Sequence, residues 1–374
     1  MNFEPTDEQR QLADSLQKVL ANDYSFDKRR AILASDAGSS DKVWATLADM
    51  GLTALALPEA DGGFGGGALD LFSAMQACGD ALLVEPLLDN LLAARLLARA
   101  GSAEQRAALL PGVVDGSLKL AFAGLEPGSR YDLAPTTTLA RQQGSGWVLD
   151  GEKCVVMGAA LAGRLLVSAR TGDGTDGVSL FLVEPGAAGV SLNHSRTVDG
   201  QRAADVRLAG VLLGADALLG TAGAALPIIE EAVDFATALL CAEAVGTMQS
   251  ANDATLDYIK TRKQFGVPIA TFQVLQHRMV EMVICCEQAR SMAILAAAEV
   301  DRGGDAGERA RVVAMAKVKM ADAARQISQE AVQLHGGMGM TEELKVSHSF
   351  RRLTMQAQRF GDADHHLARL AAQP

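Results

Sequence analysis

YIKTRKQFGVPIATFQVLQ, running from Tyr258 to Gln276, is the stretch on which the reading of the whole chain turns. Its first residues close a helical run in which Val245, Met248, Leu256 and Ile259 share one apolar stripe at helical spacing. Gly266 and Pro268 break that helix, and a second apolar-periodic run begins near Phe272. Arg262 and Gln264 therefore stand at a helix–helix corner, with Phe265 beside them. An arginine in such a corner can fork onto a phosphate or a carboxylate, and a phenylalanine offers a flat face to a ring. The plainer alternative is a basic residue that offsets the helix C-terminal dipole.

A second corner, QLHGGMGM from Gln333 to Met340, follows another long amphipathic run. Its adjacent glycines let backbone N–H groups approach a phosphate closely, although such glycines also simply end helices. Two corners of this kind, about 70 residues apart in a helical region, resemble the C-terminal domain of the flavin-dependent acyl-CoA dehydrogenases.

Working outward, residues 223–374 read as a four-helix bundle with a helical tail, in which Asp362 or Asp364 is the N-cap. DADHH (362–366) could offer metal ligands, but capping explains its aspartates and no metal is expected. Residues 1–118 read as helical, with runs near 7–22, 41–50, 68–79, 87–100 and 103–115. The glycines at 62, 63 and 65–67 follow no strand, so they read as a loop rather than a phosphate cradle. Between these parts, residues 119–222 carry short apolar runs split by Gly, Asp and Pro, the pattern of a small β-barrel. GWVLDGEK predicts a hairpin turn at Asp150-Gly151. The fold class is thus α+β, with an N-terminal helical domain, a middle β-barrel domain and a C-terminal bundle.

The 374 residues, 49% apolar and 21% charged, are those of a multidomain globular protein, and a net charge of −11 argues against nucleic acid as partner. The start MNFEPTDEQR lacks a basic segment followed by an apolar core, and the five cysteines form no CxxC pair; a reducing cytoplasm is expected. The most apolar stretch, around 209–229, contains Asp216, glycines and Pro227, so no membrane span is expected.

The resemblance covers nearly the whole chain. It implies FAD as cofactor and an acyl-CoA thioester as substrate. In the family the adenosine diphosphate half of the flavin reaches the corners of a neighbouring subunit. By position, Arg262, Gln264, Phe265, Gln273, Gln333, Gly336 and Gly337 would be those contacts. The ring side departs from the pattern. Leu125 stands where a hydroxyl usually precedes the Glu126-Pro127-Gly128 segment, and Val155 and Met157 replace a Trp-x-Thr pair. The two places where relatives carry the catalytic carboxylate fall on Phe360 and Ala236, neither of which accepts a proton.

Glu243 lies in the otherwise apolar run ATALLCAEAVGTM, seven residues past Ala236. A lone carboxylate there is costly to bury unless it is paired or used. It is either a structural partner or a relocated base. The pattern as a whole resembles the small subunits of two-component acyl-CoA dehydrogenases, of the pimeloyl-CoA type. This implies a homologous partner chain in a heterotetramer, with an electron-transferring flavoprotein as acceptor. A homotetramer using Glu243 as base, and a scaffold subunit without catalysis, are the alternatives.

Overall fold

The structure, a computed structural model, describes residues 4–134, 137–172 and 177–372. The chain begins with α1 (Asp7–Asp23), α2 (Phe26–Ala34), α3 (Asp41–Asp49), α4 (Ala68–Ala81), α5 (Leu87–Ala100) and α6 (Ala103–Val114). Strands follow: β1 (Leu120–Ala123), β2 (Leu139–Gln143), β3 (Gly146–Met157), β4 (Arg164–Arg170), β5 (Val178–Val183), β6 (Val190–Arg196), β7 (Arg202–Leu213) and β8 (Leu218–Leu219). Helices return with α7 (Leu226–Thr261). The ribbon β9 (Lys263–Gln264) and β10 (Val267–Pro268) then leads to α8 (Gln273–Arg302), α9 (Ala306–His335), α10 (Lys345–Gln358) and α11 (Ala363–Ala371). Local chemistry starts several helices where the sequence predicts. Thr6 with Gln9 and Ser102 with Gln105 form capping boxes, and Asp305 caps α9. Helix α2 escapes sequence reading because FDKRRAILA has no apolar stripe; its buried residue is Arg29. Among the described residues no helix is long and apolar enough to cross a membrane.

The chain packs into two compact units. One holds the chain up to Ala34, Gly67–Leu83 and the chain from Thr237 onward; the other holds Ser35–Gly66 and Val84–Ala236.

In the second unit the sheet runs β6-β7-β3-β2-β4-β5-β8, with β1 parallel to β4. Leu149, Leu165, Val167, Phe181, Val206 and Val211 are among its core. The expected barrel is corrected to an open sheet. One edge, β6, is largely exposed, and the other, β8, offers two residues, so neither supplies a ladder that could close it. The expected turn at Asp150-Gly151 is corrected too. Pairing of Gln143 with Gly146 puts the loop at Gly144-Ser145, where Gly144 takes φ +61°, and β3 passes straight through Asp150-Gly151. A register shift against β7 marks a bulge there. Glycine is needed because a Cβ at 151 would lie 2.5 Å from Thr138 Cα. Asp150 accepts the Gly210 N–H (2.8 Å) instead of turning the chain.

In the first unit α9 packs against α8, α10 and α11, burying Val312, Val313, Met320, Ile327 and Leu334. Helices α4 and α7 touch backbone to backbone. A Cβ on Gly79 would lie 1.9 Å from Glu243 O, and one on Gly246 would lie 2.0 Å from Gln76 O. Thr247 Oγ1 adds a hydrogen bond to Gly79 O (3.0 Å). Buried Lys317 closes α10 by donating to the carbonyls of Gln356, Ala357 and Gly361 at 3.0, 2.9 and 2.8 Å. Asp362 caps α11 by accepting the His365 N–H (2.8 Å).

His366, buried in the first turn of α11, bonds through Nε2 to Phe360 O (3.0 Å). Burial, reinforced by the charge of Lys317, pushes its pKa down to about 3. In the unfolded chain a histidine takes up its proton near pH 6.5. Between those values the unfolded state binds more protons, so stability falls as pH drops through the window. His366→Gln keeps a donor but does not titrate. Urea unfolding at pH 7 and 4.5 is expected to show wild type losing about 2 kcal/mol more than the variant. Equal losses would remove His366 from the acid response.

Candidate active site

Helix α7 stops at Thr261, where the Arg262 N–H donates to Tyr258 O (2.8 Å) and the Ile269 N–H donates to Arg262 O (2.9 Å). Gln264 pairs with Val267, leaving Phe265-Gly266 as a two-residue loop with φ of +55° and +81°. Two positive φ values are the pattern of a type I′ hairpin, which favours Asn-Gly. Phenylalanine in that position carries about 1–2 kcal/mol of backbone strain. Its ring is nonetheless 91% exposed and meets the edge of the Phe272 ring, centroids 6.1 Å apart. A strained backbone thus holds an aromatic ring out into solvent.

The neighbouring groups are equally free. Among the described residues the exposed Arg262 guanidinium has no hydrogen-bond or ion-pair partner, and Gln264 Nε2 donates only to the adjacent Lys263 O (2.8 Å). Gln333, Gly336 and Gly337 are exposed, and a Cβ on either glycine would meet nothing within 4 Å. The two corners, distant in sequence, lie side by side because Tyr258 stacks on His335, centroids 4.3 Å apart at 26°. Gln273 heads α8 and lines a groove of about 410 Å³ with Gln326 and Glu330 of α9. Glu330 is ion-paired to Arg278 (2.6 Å) across it. A guanidinium, three side-chain amides, a glycine corner and an exposed ring form a donor set suited to the diphosphate and aromatic parts of a dinucleotide.

In the second unit Glu126 and Lys153 form a buried ion pair of 2.7 Å. Lys153 Nζ also donates to Ser168 Oγ (3.1 Å) and Gly124 O (3.3 Å), and Glu126 accepts the Thr138 N–H (3.0 Å) and the Thr137 hydroxyl (2.8 Å). Burial pulls Lys153 down to about 8 against the pull of Glu126. This pins the Glu126-Pro127-Gly128 segment to β3. Two residues on, Val155 is 51% exposed at φ +49°, where the β3–β7 register shifts, and its N–H donates to Asp205 Oδ1 (2.9 Å). A β-branched residue in that conformation is an outlier. Leu125 and Met157 are half-buried, so positions 125, 155 and 157 present no side-chain donor.

Glu243 is 3% exposed, and its Oε1 is held by Arg352 of α10, which donates through Nε (3.0 Å) and Nη2. Arg352 Nη2 also donates to Leu83 O (2.7 Å), while Arg29 Nε donates to Leu82 O (2.7 Å). Two buried arginines thus grip consecutive carbonyls where α4 ends and Leu82 takes φ +55°. Arg29 Nη1 donates to His348 Nδ1 (3.1 Å), so the imidazole carries its proton on Nε2, toward Glu342 O (3.2 Å). Burial, aided by Arg29, holds the His348 pKa below its usual value. Glu243 is the anion of this network.

Ala236 is fully buried. Phe360 occupies φ +58° with its carbonyl bound by His366 and Arg359 over its ring (4.7 Å). Three elements escaped the sequence. Arg352 has no local signal linking it to Glu243, and the Tyr258–His335 stack joins distant helices. Lys153 could have been found, since strand alternation puts its side chain inside.

The chain matches the acyl-CoA dehydrogenase N-terminal domain over residues 6–117, the middle domain over 121–210 and the C-terminal domain over 226–373. It is 33% identical over 360 residues to acyl-CoA dehydrogenase FadE12 of Mycobacterium tuberculosis, covering 92% of this chain and 90% of the relative. A solved steroid ACAD, the Tcur3481-Tcur3483 G363A variant, superposes with TM-score 0.88 at 31% identity, covering 98% and 97%. The ChsE4-ChsE5 complex from Mycobacterium tuberculosis gives TM-score 0.90 at 25% identity with full coverage of both chains. With all three domains matched in order, the chain belongs to the acyl-CoA dehydrogenase family.

Proposed function

We propose that this chain is one subunit of a two-component acyl-CoA dehydrogenase and that it completes the flavin site of a homologous partner chain. Family membership makes it a FAD-dependent oxidoreductase acting on acyl-CoA thioesters. A flavin bound there would supply the hydride acceptor for the substrate β-carbon. Arg262, Gln264, Gln333 and the Gly336-Gly337 corner would hold its diphosphate, with Phe265 offering its ring and Gln273 an amide to the same group.

The observation that carries the proposal is a contrast. The phosphate-side residues are all present and exposed, while both base positions hold Phe360 and Ala236 and the ring-side positions hold Leu125, Val155 and Met157. Removal of the α-proton needs a carboxylate that the substrate can reach. Glu243 is buried and paired with Arg352, so it serves as a buried counter-ion and the partner supplies the base. Two of the similar structures carry two-component names, which supports a heterotetramer. The acceptor is an electron-transferring flavoprotein and the setting is the cytoplasm.

Visible absorption of the purified chain tests this. Alone, it should be colourless and inactive; co-expressed with a homologous neighbouring gene, it should copurify as a yellow, active heteromer. A flavin-loaded chain that dehydrogenates acyl-CoA by itself would establish the homotetramer instead.

A further inference from the structure

Among the described residues one ring stack links the two corners. Tyr258 lies one helical turn before Arg262, and its carbonyl receives the Arg262 N–H. His335 is the last residue of α9 and directly precedes Gly336. Among the described residues no hydrogen bond or ion pair connects Tyr258–Phe272 with Gln333–Met340; the ring stack of Tyr258 on His335 does. The imidazole is fixed on its other side. It is buried, its Nδ1–H donates to Ala331 O (2.8 Å), and burial lowers its pKa. Gly339 folds back over its base, where a Cβ would lie 3.0 Å from His335 Cβ and 2.7 Å from Val332 O. Tyr258 therefore leans on a rigid surface that carries the glycine corner.

We infer that the Tyr258–His335 stack is a positioning element that sets the distance between Arg262 and the Gly336-Gly337 corner, so that both reach one diphosphate. This rests on the proposal that the corners bind that group. Donor–acceptor distances in a charge-assisted contact tolerate only a few tenths of an ångström. Loss of the flat tyrosine ring lets the end of α7 settle toward α9, and Arg262 then loses its aim.

The test uses the assembled enzyme stripped of flavin and titrated with FAD and, separately, with ADP. Tyr258→Ala and His335→Leu are each expected to weaken both ligands about tenfold, with the flavin-free melting temperature little changed. Tyr258→Phe, which keeps the ring, should bind within about twofold of wild type. In the background of Arg262→Ala, adding Tyr258→Ala should cost little more, because the aimed group is already gone. Normal affinity in Tyr258→Ala alongside a loss in Arg262→Ala would overturn the positioning role while leaving the diphosphate assignment standing. Normal affinity in Arg262→Ala would bring down that assignment and the inference with it. A fall in melting temperature and affinity that Tyr258→Phe does not rescue would reduce the stack to ordinary packing.

Discussion

Arg352→Met should destabilise the enzyme by about 3–5 kcal/mol, because it leaves Glu243 as an uncompensated buried charge. It also strips a donor from Leu83 O at the end of α4. Glu243→Gln keeps the shape and one acceptor but leaves the Arg352 cation unneutralised, so it too should lower the melting temperature. The double variant Glu243→Leu with Arg352→Met should recover much of the loss, since an apolar pair replaces a charge pair. Turnover separates the two roles of Glu243. As a counter-ion, its replacement by glutamine leaves the rate per intact, flavin-loaded enzyme near normal. As a base, the same change would cut the rate by at least about 100-fold. A normal melting curve with collapsed turnover would reinstate Glu243 as the proton acceptor.

Arg262→Ala carries the second large effect. It removes a forked, charge-assisted contact to phosphate and leaves the desolvated anion short of a partner, a loss of about 2–4 kcal/mol in FAD binding. Arg262 is exposed and forms no side-chain hydrogen bond or ion pair among the described residues, so folding should be untouched and the loss should be visible as flavin shed on dialysis. Arg262→Lys should restore only part of it, because a point charge replaces a planar fork. Full flavin occupancy in Arg262→Ala after exhaustive dialysis would remove the corner from the cofactor site.

The succession of helical, strand and helical regions, the two corners and the departures at Leu125, Val155, Met157 and Phe360 were all legible in the sequence. The regions and the corners rest on chemistry within a few residues: apolar periodicity, a capping box such as Thr6 with Gln9, or glycine and proline ending a helix; the departures rest on the resemblance to the family alone. What the sequence could not settle depended on partners far along the chain. Asp150-Gly151 looks like a turn locally, yet the close approach of Thr138 and the β7 ladder make it a bulge. The sheet stays open because its last edge is two residues long, which no run of alternating residues announces. Helix α2 forms without an apolar stripe because Arg29 reaches the end of α4 and His348. Glu243 reads alike as base or counter-ion until Arg352 arrives from 109 residues away. Periodicity tells which face of an element is buried; only the assembled fold decides which charge waits on the other side, because the cost of a buried ion is set by the partner that meets it.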